Sequence, residues 1–577
     1  MLKKLFPILS WIKEYDRQYL FSDVTAGVTL GIMLVPQGMA YAMIAGMPPI
    51  YGLYAALVPQ LIYALTGTSR QLGVGPVAMD SLLVAAGIGA LQLTNTQDYI
   101  AAVLFLTLII GSIQLLLGFL KMGFFVNFLS KPVISGFTSA AAILIGLGQL
   151  KHILGVEHEQ SSKIYDLVIS VFGKLTEINL YAFGMGVAAI LLILLVGKMS
   201  KKIPAPLLLV ILGIATVFVF GLETKGIKIV GNIPSGLPEF KSPNINLNSL
   251  AQLMPIAITV ALFGYMESIS IAKSLEEKHP EYEIDANQEL RALGLSNILG
   301  SLFQSFPVSG SFSRTAVNDQ AGAKTGMSLI FSALIIVGTL LFLTPFFYNL
   351  PTAVLGAIII VSVFGLIDVK YPVALFKHRK DEFFLLITTF IMTLFIGLIE
   401  GILLGVLLSL LLLVYRTSHP HIAILGRIKG SDYFKNVERF ANEVEIDEDK
   451  LIFRFDAQLF FGNKDYFKKE LYKHLDQKGP QLKYVILNAE AINYIDSSAA
   501  VMLERIVKDL HAKGIRFFVA GAIGPTRDIF YSSGLINIIG KDNLFVRTFE
   551  AVAYCTDQKQ RNEIQEKISL QSKKKHL

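Results

Sequence analysis

Residues Phe303 to Thr325 read FQSFPVSGSFSRTAVNDQAGAKT and break into apolar sequence that runs at membrane-span length on both sides. The break holds Pro307, Gly310, three closely spaced serines and Arg314. A bilayer core has no water to satisfy stray backbone N–H and C=O groups. Backbone therefore leaves helical geometry at that depth only where protein or a water-filled cavity supplies partners. The stretch is a candidate binding site within a membrane.

The bulk properties agree with a membrane setting. Of 577 residues, 53% are hydrophobic and only 16% charged, too apolar a balance for an ordinary soluble chain of this length. No charged residue falls between Asp23 and Arg70 or between Lys324 and Asp368, and only Glu400 falls between Glu382 and Arg416. Since a span needs about 20 residues, each interval holds about two. The net charge of +7 does not point to nucleic acid, because Lys and Arg gather at span ends and in the polar tail, where they fix orientation. The single cysteine, Cys555, excludes an intramolecular disulfide framework and a multi-cysteine metal site.

The start, Met1 to Arg17, is basic and lacks a signal-peptide pattern, which places the N-terminus in the cytoplasm. Trp11, Tyr15 and Tyr19 suit a short interfacial helix over Phe6 to Leu20. The first span comes next, with Pro36, Gln37 and Gly38 near its middle and with Gln37 and Tyr41 on one helical face. The second is PPIYGLYAALVPQLIYALTG. In LGVGPVAMDSLLVAAGIGAL the residues Gly73, Gly75 and Pro76 delay the helix, and Pro76 suits its first position. The third span is predicted to be a half-helix.

Further spans are expected near Tyr99–Leu120, Pro132–Leu150, Tyr181–Val196 and Pro204–Phe220. After a polar stretch come the span containing Glu267, the span ELRALGLSNILGSLFQSF, the broken segment, and four more near Met327–Pro345, Thr352–Leu366, Phe383–Ile399 and Ile402–Val414. The total is fourteen, seven in each half, with the two interrupted segments third in each. That is the pattern of an inverted-repeat transporter, with half-helices 3 and 10, and an even count returns the C-terminus to the cytoplasm. Beyond Arg416 the pattern turns to alternating strands and helices: LIFRFDAQLFFG, YVILNAEAINYID and IRFFVAG read as strands and LERIVKDLHAKG as a helix. The expected organisation is an N-terminal segment 1–20, a transmembrane domain 21–416, a linker and soluble α/β domain 417–556, and a mobile tail 557–577.

Three ionisable groups sit in apolar surroundings, Asp80, Glu267 and Arg314, and each costs roughly 2.5 to 3.5 kcal/mol to insert. Arg314 lies just inside the helix that Gly310 and Ser311 begin, where free amides and the positive dipole end favour an anion. Its alternative is a structural pair with Asp319. A carboxylate at Glu267, able to take a proton beside an anion, would carry it in with the substrate; its alternative is an ion pair with Arg314 or Lys273. Asp80 either faces the cavity or bonds a neighbouring helix. Ser311, Ser313 and Thr315 offer hydroxyls. No Walker loop, kinase set or metal-ligand spacing is evident, so neither enzyme activity, a metal nor a cofactor is expected.

The stretches PQGMAYAMIAGMPPIYGLY (Pro36–Tyr54), GTSRQLGVGP (Gly67–Pro76), Asn287–Thr325 and IDSSAA (Ile495–Ala500) closely resemble the sulfate permease family SulP, bacterial members of the solute carrier group that contains prestin and pendrin. The resemblance covers nearly the whole chain. It implies a core of spans 1 to 4 and 8 to 11 moving against a gate of spans 5 to 7 and 12 to 14. It also implies an anion site at Gln37, Tyr41, Val77, Ser311, Ser313 and Arg314. Val77 departs from the aromatic that some animal relatives place there. Proton-coupled relatives have Glu at the position of Glu267, whereas the sodium-coupled bicarbonate branch tends to Asp, so H+ is the expected coupling ion and Na+ the lesser one.

The terminal domain resembles the STAS fold, in which Asp496, Ser497 and Ser498 occupy a loop that is phosphorylated in stand-alone relatives and serves packing or partner contact in transporters. A homodimer is implied. The expectation is a proton-coupled, elevator-type transporter of sulfate or a similar inorganic oxyanion in the inner membrane. Carriers of bicarbonate, dicarboxylate or chloride share the resemblance, and an anion channel or a STAS-mediated signalling scaffold with a cytoplasmic partner is the reading from another class.

Overall fold

The structure is a computed structural model describing residues 6–93, 95–124, 130–156, 163–199, 205–243 and 247–556. The tail expected to be mobile, 557–577, lies outside the described residues. The chain divides into two compact units, Met1–Ser409 and Leu410–Leu577.

In the first unit the expected interfacial helix is broken. A turn at Ile8–Trp11 ends in extended backbone at Tyr15, and Asp16 caps a new helix, α1 (Arg17–Ile44), by accepting from the Tyr19 amide at 2.8 Å. Trp11, Tyr15 and Tyr19 still touch ring to ring, but Trp11 is buried rather than set at a surface. Helix α1 carries Pro36 inside it. The second expected span is split into α2 (Pro49–Ala55) and α3 (Val58–Thr66), because Pro59 has no amide for the Ala55 carbonyl and its ring disfavours helix just before it. A Cβ on Gly52 would lie 1.9 Å from the Gly38 carbonyl oxygen, so α1 and α2 meet backbone to backbone, as small residues allow in membrane helices.

The third expected span is indeed short, α4 (Ala78–Gly89). Pro76 is not at its first position, because Gly73–Val77 stays extended and forms strand β1 (Val74–Gly75), with Val77 as the N-cap. Then come α5 (Thr96–Phe119), α6 (Lys131–Leu154), α7 (Ile164–Phe172), α8 (Leu180–Met199), α9 (Ala205–Phe220), α10 (Leu247–Lys278) and α11 (Ala286–Leu302). Strand β2 (Ser309–Gly310) leads into the second short helix, α12 (Phe312–Gln320). After it come α13 (Met327–Gly338), which runs on through a π-helical turn at Thr339–Leu343, then α14 (Thr352–Phe364), α15 (Lys370–His378), α16 (Lys380–Phe395) and α17 (Leu398–Ser418), whose second half lies beyond the first unit's end at Ser409.

Among the described residues eight helices are long and apolar enough to cross a membrane, and three shorter apolar helices accompany them. Two packing groups emerge. In one, α5 packs on α11 and α10, α1 on α13, and α3 on α11; in the other, α6 packs on α14 and α16, and α8 on α14. They meet where α14 crosses α1 and where α4 reaches α6.

The second unit is built on a sheet of order β4-β3-β6-β7-β8-β9, with β5 paired to β3. The strands are β3 (Ile422–Ile428), β4 (Phe434–Asn436), β5 (Val444–Glu445), β6 (Lys450–Phe455), β7 (Tyr484–Asn488), β8 (Arg516–Ala520) and β9 (Leu544–Phe545). The run β6 to β9 is parallel, so both sheet faces need cover. Side-chain alternation supplies it: Phe453, Val485, Leu487, Phe517 and Val519 join one core, whereas Ile452, Ile486 and Phe518 join the other. Helices α18 (Lys464–Lys478), α19 (Ser497–Ala512), α20 (Gly524–Ser532) and α21 (Leu535–Ile539) contribute to the first core and α22 (Thr548–Thr556) to the second. The strands expected over LIFRFDAQLFFG and YVILNAEAINYID stop at Phe455 and Asn488. The remainder of each stretch is loop, and the two loops are joined once by a bridge between Leu459 and Ile495.

Candidate anion site between two half-helices

Both half-helices begin from extended backbone, and the two lead-ins pair with each other. Val74 lies opposite Gly310 and Gly75 opposite Ser309, antiparallel. The Ser311 amide adds a bond to the Gly73 carbonyl at 3.1 Å. Side chains complete the satisfaction that broken backbone requires at this depth. Thr315 Oγ1 accepts from the Gly73 amide (2.9 Å), Ser268 Oγ from the Gly310 amide (2.7 Å) and Asn297 Oδ1 from the Val308 amide (2.9 Å), while Asn318 Nδ2 donates to the Gln71 carbonyl (2.9 Å). The approach is close enough to demand glycine, since a Cβ on Gly73 would stand 2.9 Å from Arg314 Cβ.

Val77 and Ser311, the N-cap residues, are both extended, and neither makes a side-chain cap bond. Two helix N-termini in one buried region therefore keep first-turn amides that no cap side chain occupies, and both positive dipole ends act there. An anion is the complementary occupant.

Arg314 is fully buried, but the Asp319 alternative is not realised: Asp319 takes His279 Nε2 at 2.6 Å and Lys278 at 3.3 Å. Instead Arg314 Nη1 donates to the Pro76 carbonyl at 2.5 Å and Nη2 to the Ser309 carbonyl at 3.4 Å, and Nε has no partner among the described residues. Two of its donors thus hold the paired lead-ins together, and its charge acts at the two helix N-termini mainly as a field. Lys273 is held by Glu276 at 2.7 Å, which removes one of the alternatives for Glu267. Glu267 Oε2 is buried with no hydrogen-bond partner among the described residues.

The remaining expected residues gather at the same place. Gln37 is buried with Oε1 unpartnered among the described residues. It adjoins Gly38, whose added Cβ would lie 3.8 Å from Pro76 Cγ, so the middle of α1 abuts the head of α4. Tyr41 is buried and reaches Ser362 on α14, where the two packing groups meet. Val77 is a buried apolar wall. Ser311 Oγ lies 3.2 Å from Ser313 Oγ, and Ser313 is exposed beside an exposed Phe312. Asp80 is buried and accepts from Ser309 Oγ at 2.5 Å. Sequence reasoning passed over Ser268, Ser309, Ser362 and Phe312. Only the adjacency of Ser268 to Glu267, and of Ser309 and Phe312 to Ser311, could have singled them out.

In the second unit Ser497 and Ser498 are exposed at the start of α19, on the rim of a cavity of about 800 Å³ that Lys464, Lys468, Arg505 and Lys513 also line. Asp496 caps that helix, accepting from the Ala499 amide and, with its other oxygen, from the Phe461 amide, each at 2.8 Å. Asp509, also in the lining, is held below the usual carboxylate range by the hydrogen bond from the Tyr472 hydroxyl and by Lys513.

The Sulfate permease family profile matches residues 20–389, and the STAS domain profile matches 441–554. The chain belongs to the sulfate permease family. It is similar to "Sulfate transporter 4.1, chloroplastic" of Arabidopsis thaliana (38% identical, covering 98% of this chain and 84% of the relative) and to "High affinity sulfate transporter 2" of Stylosanthes hamata (31%, covering 96% and 86%). Among solved structures it is similar to the murine Solute Carrier 26 family member A9 anion transporter in the inward-facing state, with a TM-score of 0.88, 25% identity and coverage of 95% of this chain and 94% of that one. As a member of the family the protein is a multi-pass membrane anion transporter with a STAS domain, and not an enzyme.

Proposed function

We propose that the protein is a secondary active transporter that takes up sulfate, or a similar inorganic oxyanion, together with protons. The observation that carries this reading is the pair of facing half-helices: two N-termini without side-chain caps, around a buried guanidinium bonded to backbone carbonyls. A compact multivalent anion gains from both dipoles and from that charge at once. Ser311 and Ser313 supply hydroxyl donors, Gln37 and Tyr41 close the cavity from α1, and Val77 forms its apolar wall. Glu267 is the proton-carrying group.

The two packing groups support motion of a core, carrying the half-helices, against a gate built on α6, α8, α9, α14 and α16 in an elevator-like cycle. The fourteen-span topology, both termini in the cytoplasm, the inner-membrane location and a homodimer belong to the same reading. So does regulation through Ser497 and Ser498, where a phosphate or a partner would meet basic neighbours.

Purified protein in liposomes tests the reading. An inward proton gradient should drive labelled sulfate above electrochemical equilibrium. If only a sodium gradient works, and the cargo is bicarbonate, the substrate and coupling ion are both reassigned. Uptake that never exceeds equilibrium would make the protein a channel, and STAS-dependent signalling that survives loss of transport in Arg314→Ala would make it a scaffold.

A further inference from the structure

The two half-helices carry opposite charges at matching positions. Asp80 is the third residue of α4 and Arg314 the third of α12. Each reaches across to the other lead-in: Asp80 Oδ2 accepts from Ser309 Oγ on β2, and Arg314 Nη1 donates to the Pro76 carbonyl at the head of α4. Both side chains are buried, at 1% and 0% exposure. Distant in the chain, the two charges are joined by the geometry in one reciprocal brace.

Helix α10 brings a third charge. A Cβ on Gly264 would lie 3.4 and 3.5 Å from the two carboxylate oxygens of Asp80, so that carboxylate rests against α10, and Glu267 stands three residues on along the same helical face. Asp80 Oδ1 and Glu267 Oε2 are both buried without a hydrogen-bond partner among the described residues. Asp80, Glu267 and Arg314 lie within Coulombic reach of one another, and Tyr41, from α1, is the other titratable group facing them. One guanidinium can balance only one carboxylate. An ionised second carboxylate in these surroundings has no counter-charge, and such groups neutralise themselves by binding a proton.

We propose that Asp80 and Glu267 form a single two-carboxylate proton site that shares one proton opposite Arg314, so that Asp80 is a coupling residue equal in standing to Glu267. This deepens the proton-coupled reading above and rests on it. An anion arriving at the helix N-termini draws on the field of the same guanidinium and leaves the carboxylates less well balanced, so it favours the protonated pair. By linkage the proton favours the anion in equal measure. The titration belongs to the pair rather than to either acid.

The pair makes a demand that a lone Glu267 does not. If either carboxyl is neutralised, the survivor has Arg314 to itself and stays ionised, so the stored proton disappears in both cases. Infrared difference spectra of the full-length protein in liposomes at neutral pH, wild type minus variant, read this directly. Asp80→Asn and Glu267→Gln should each lose the same single protonated-carboxyl band, and the double variant should lose no more. Loss in only one variant, two separable bands, or no such band in the wild type would overturn the proposal.

Ser309→Ala guards against a trivial packing defect. It removes the 2.5 Å bond to Asp80 but leaves the charge count unchanged, so the band should persist; its disappearance would also count against the pair. The spectra need no transport. Sulfate accumulation by the wild type under an inward proton gradient, measured separately, decides the broader reading by itself.

Discussion

The protein offers an anion two kinds of helix N-terminus, one in each unit. At α19 the chain fills the position itself: Asp496 accepts from the Ala499 amide, and its second oxygen ties down the Phe461 amide. At α4 and α12 the N-cap residues, Val77 and Ser311, make no side-chain cap bond. A cap of the Asp496 type contributes about 1 kcal/mol, and two such contributions are forgone at membrane depth, where unsatisfied amides are most costly. The difference teaches which terminus is built to be completed by something other than the chain. Charge divides in the same way. The basic group at the half-helices is buried and braced by backbone, whereas four basic side chains line the cavity beside α19.

Arg314→Ala strikes the comparison hardest. It leaves the Pro76 and Ser309 carbonyls without their donor and the buried Asp80–Glu267 carboxyl pair without its cation. A loss of about 3 to 5 kcal/mol is expected, read as a lower unfolding temperature in detergent, together with complete loss of sulfate uptake. A variant that still binds sulfate at wild-type affinity would show that the dipoles suffice alone. Glu267→Gln should come next in effect. Proton-driven accumulation should vanish, while sulfate binding, measured calorimetrically, changes only severalfold; an equal fall in both would remove the coupling role.

Ser311→Ala and Val77→Ala test the two uncapped positions against each other. A hydroxyl donating to a charged ligand is worth about 1.5 to 3 kcal/mol, so Ser311→Ala should raise the sulfate Kd roughly tenfold or more. Val77→Ala trims an apolar wall and removes no donor, so it should change the Kd less than about threefold. The reverse order would mean that shape rather than donors selects the anion.

Much of the site was legible in the chain because the interrupted segments are unlike anything around them. Pro and Gly breaking into apolar sequence gave away both half-helices, and Arg314 and Glu267 stood out because burying them is expensive. The position of Pro76 misled. Its preference for the first helical turn is a local rule, and here pairing of Val74–Gly75 with Ser309–Gly310, a contact across more than half the first unit, held the backbone extended for longer. Ser268 and Ser309 were missed for a related reason. Serine is common in membrane helices, and only the third dimension shows that one satisfies the Gly310 amide and the other bonds Asp80. The split of the second span at Pro59 was readable, but a long uncharged run outweighed it.

The smallest effect, and the sharpest contrast, is expected at α19. Ser497 and Ser498 are its first two residues, beside Lys464, Lys468, Arg505 and Lys513. A negative group added at Ser498 meets both the dipole and those cations, but Asp496 already occupies the Ala499 amide. Ser498→Asp should therefore stabilise the first turn of α19 by only about 0.3 to 1 kcal/mol, seen as slower amide exchange over that turn in the full-length protein, with sulfate uptake changed less than about twofold. Ser498→Lys should speed the same exchange. Removing the internal cap with Asp496→Ala should enlarge the response to Ser498→Asp, because the terminus would then be open in the way that α4 and α12 are. If the response is the same with and without Asp496, a filled cap does not distinguish α19 from the half-helices, and the openness of Val77 and Ser311 loses its meaning as a mark of the anion site.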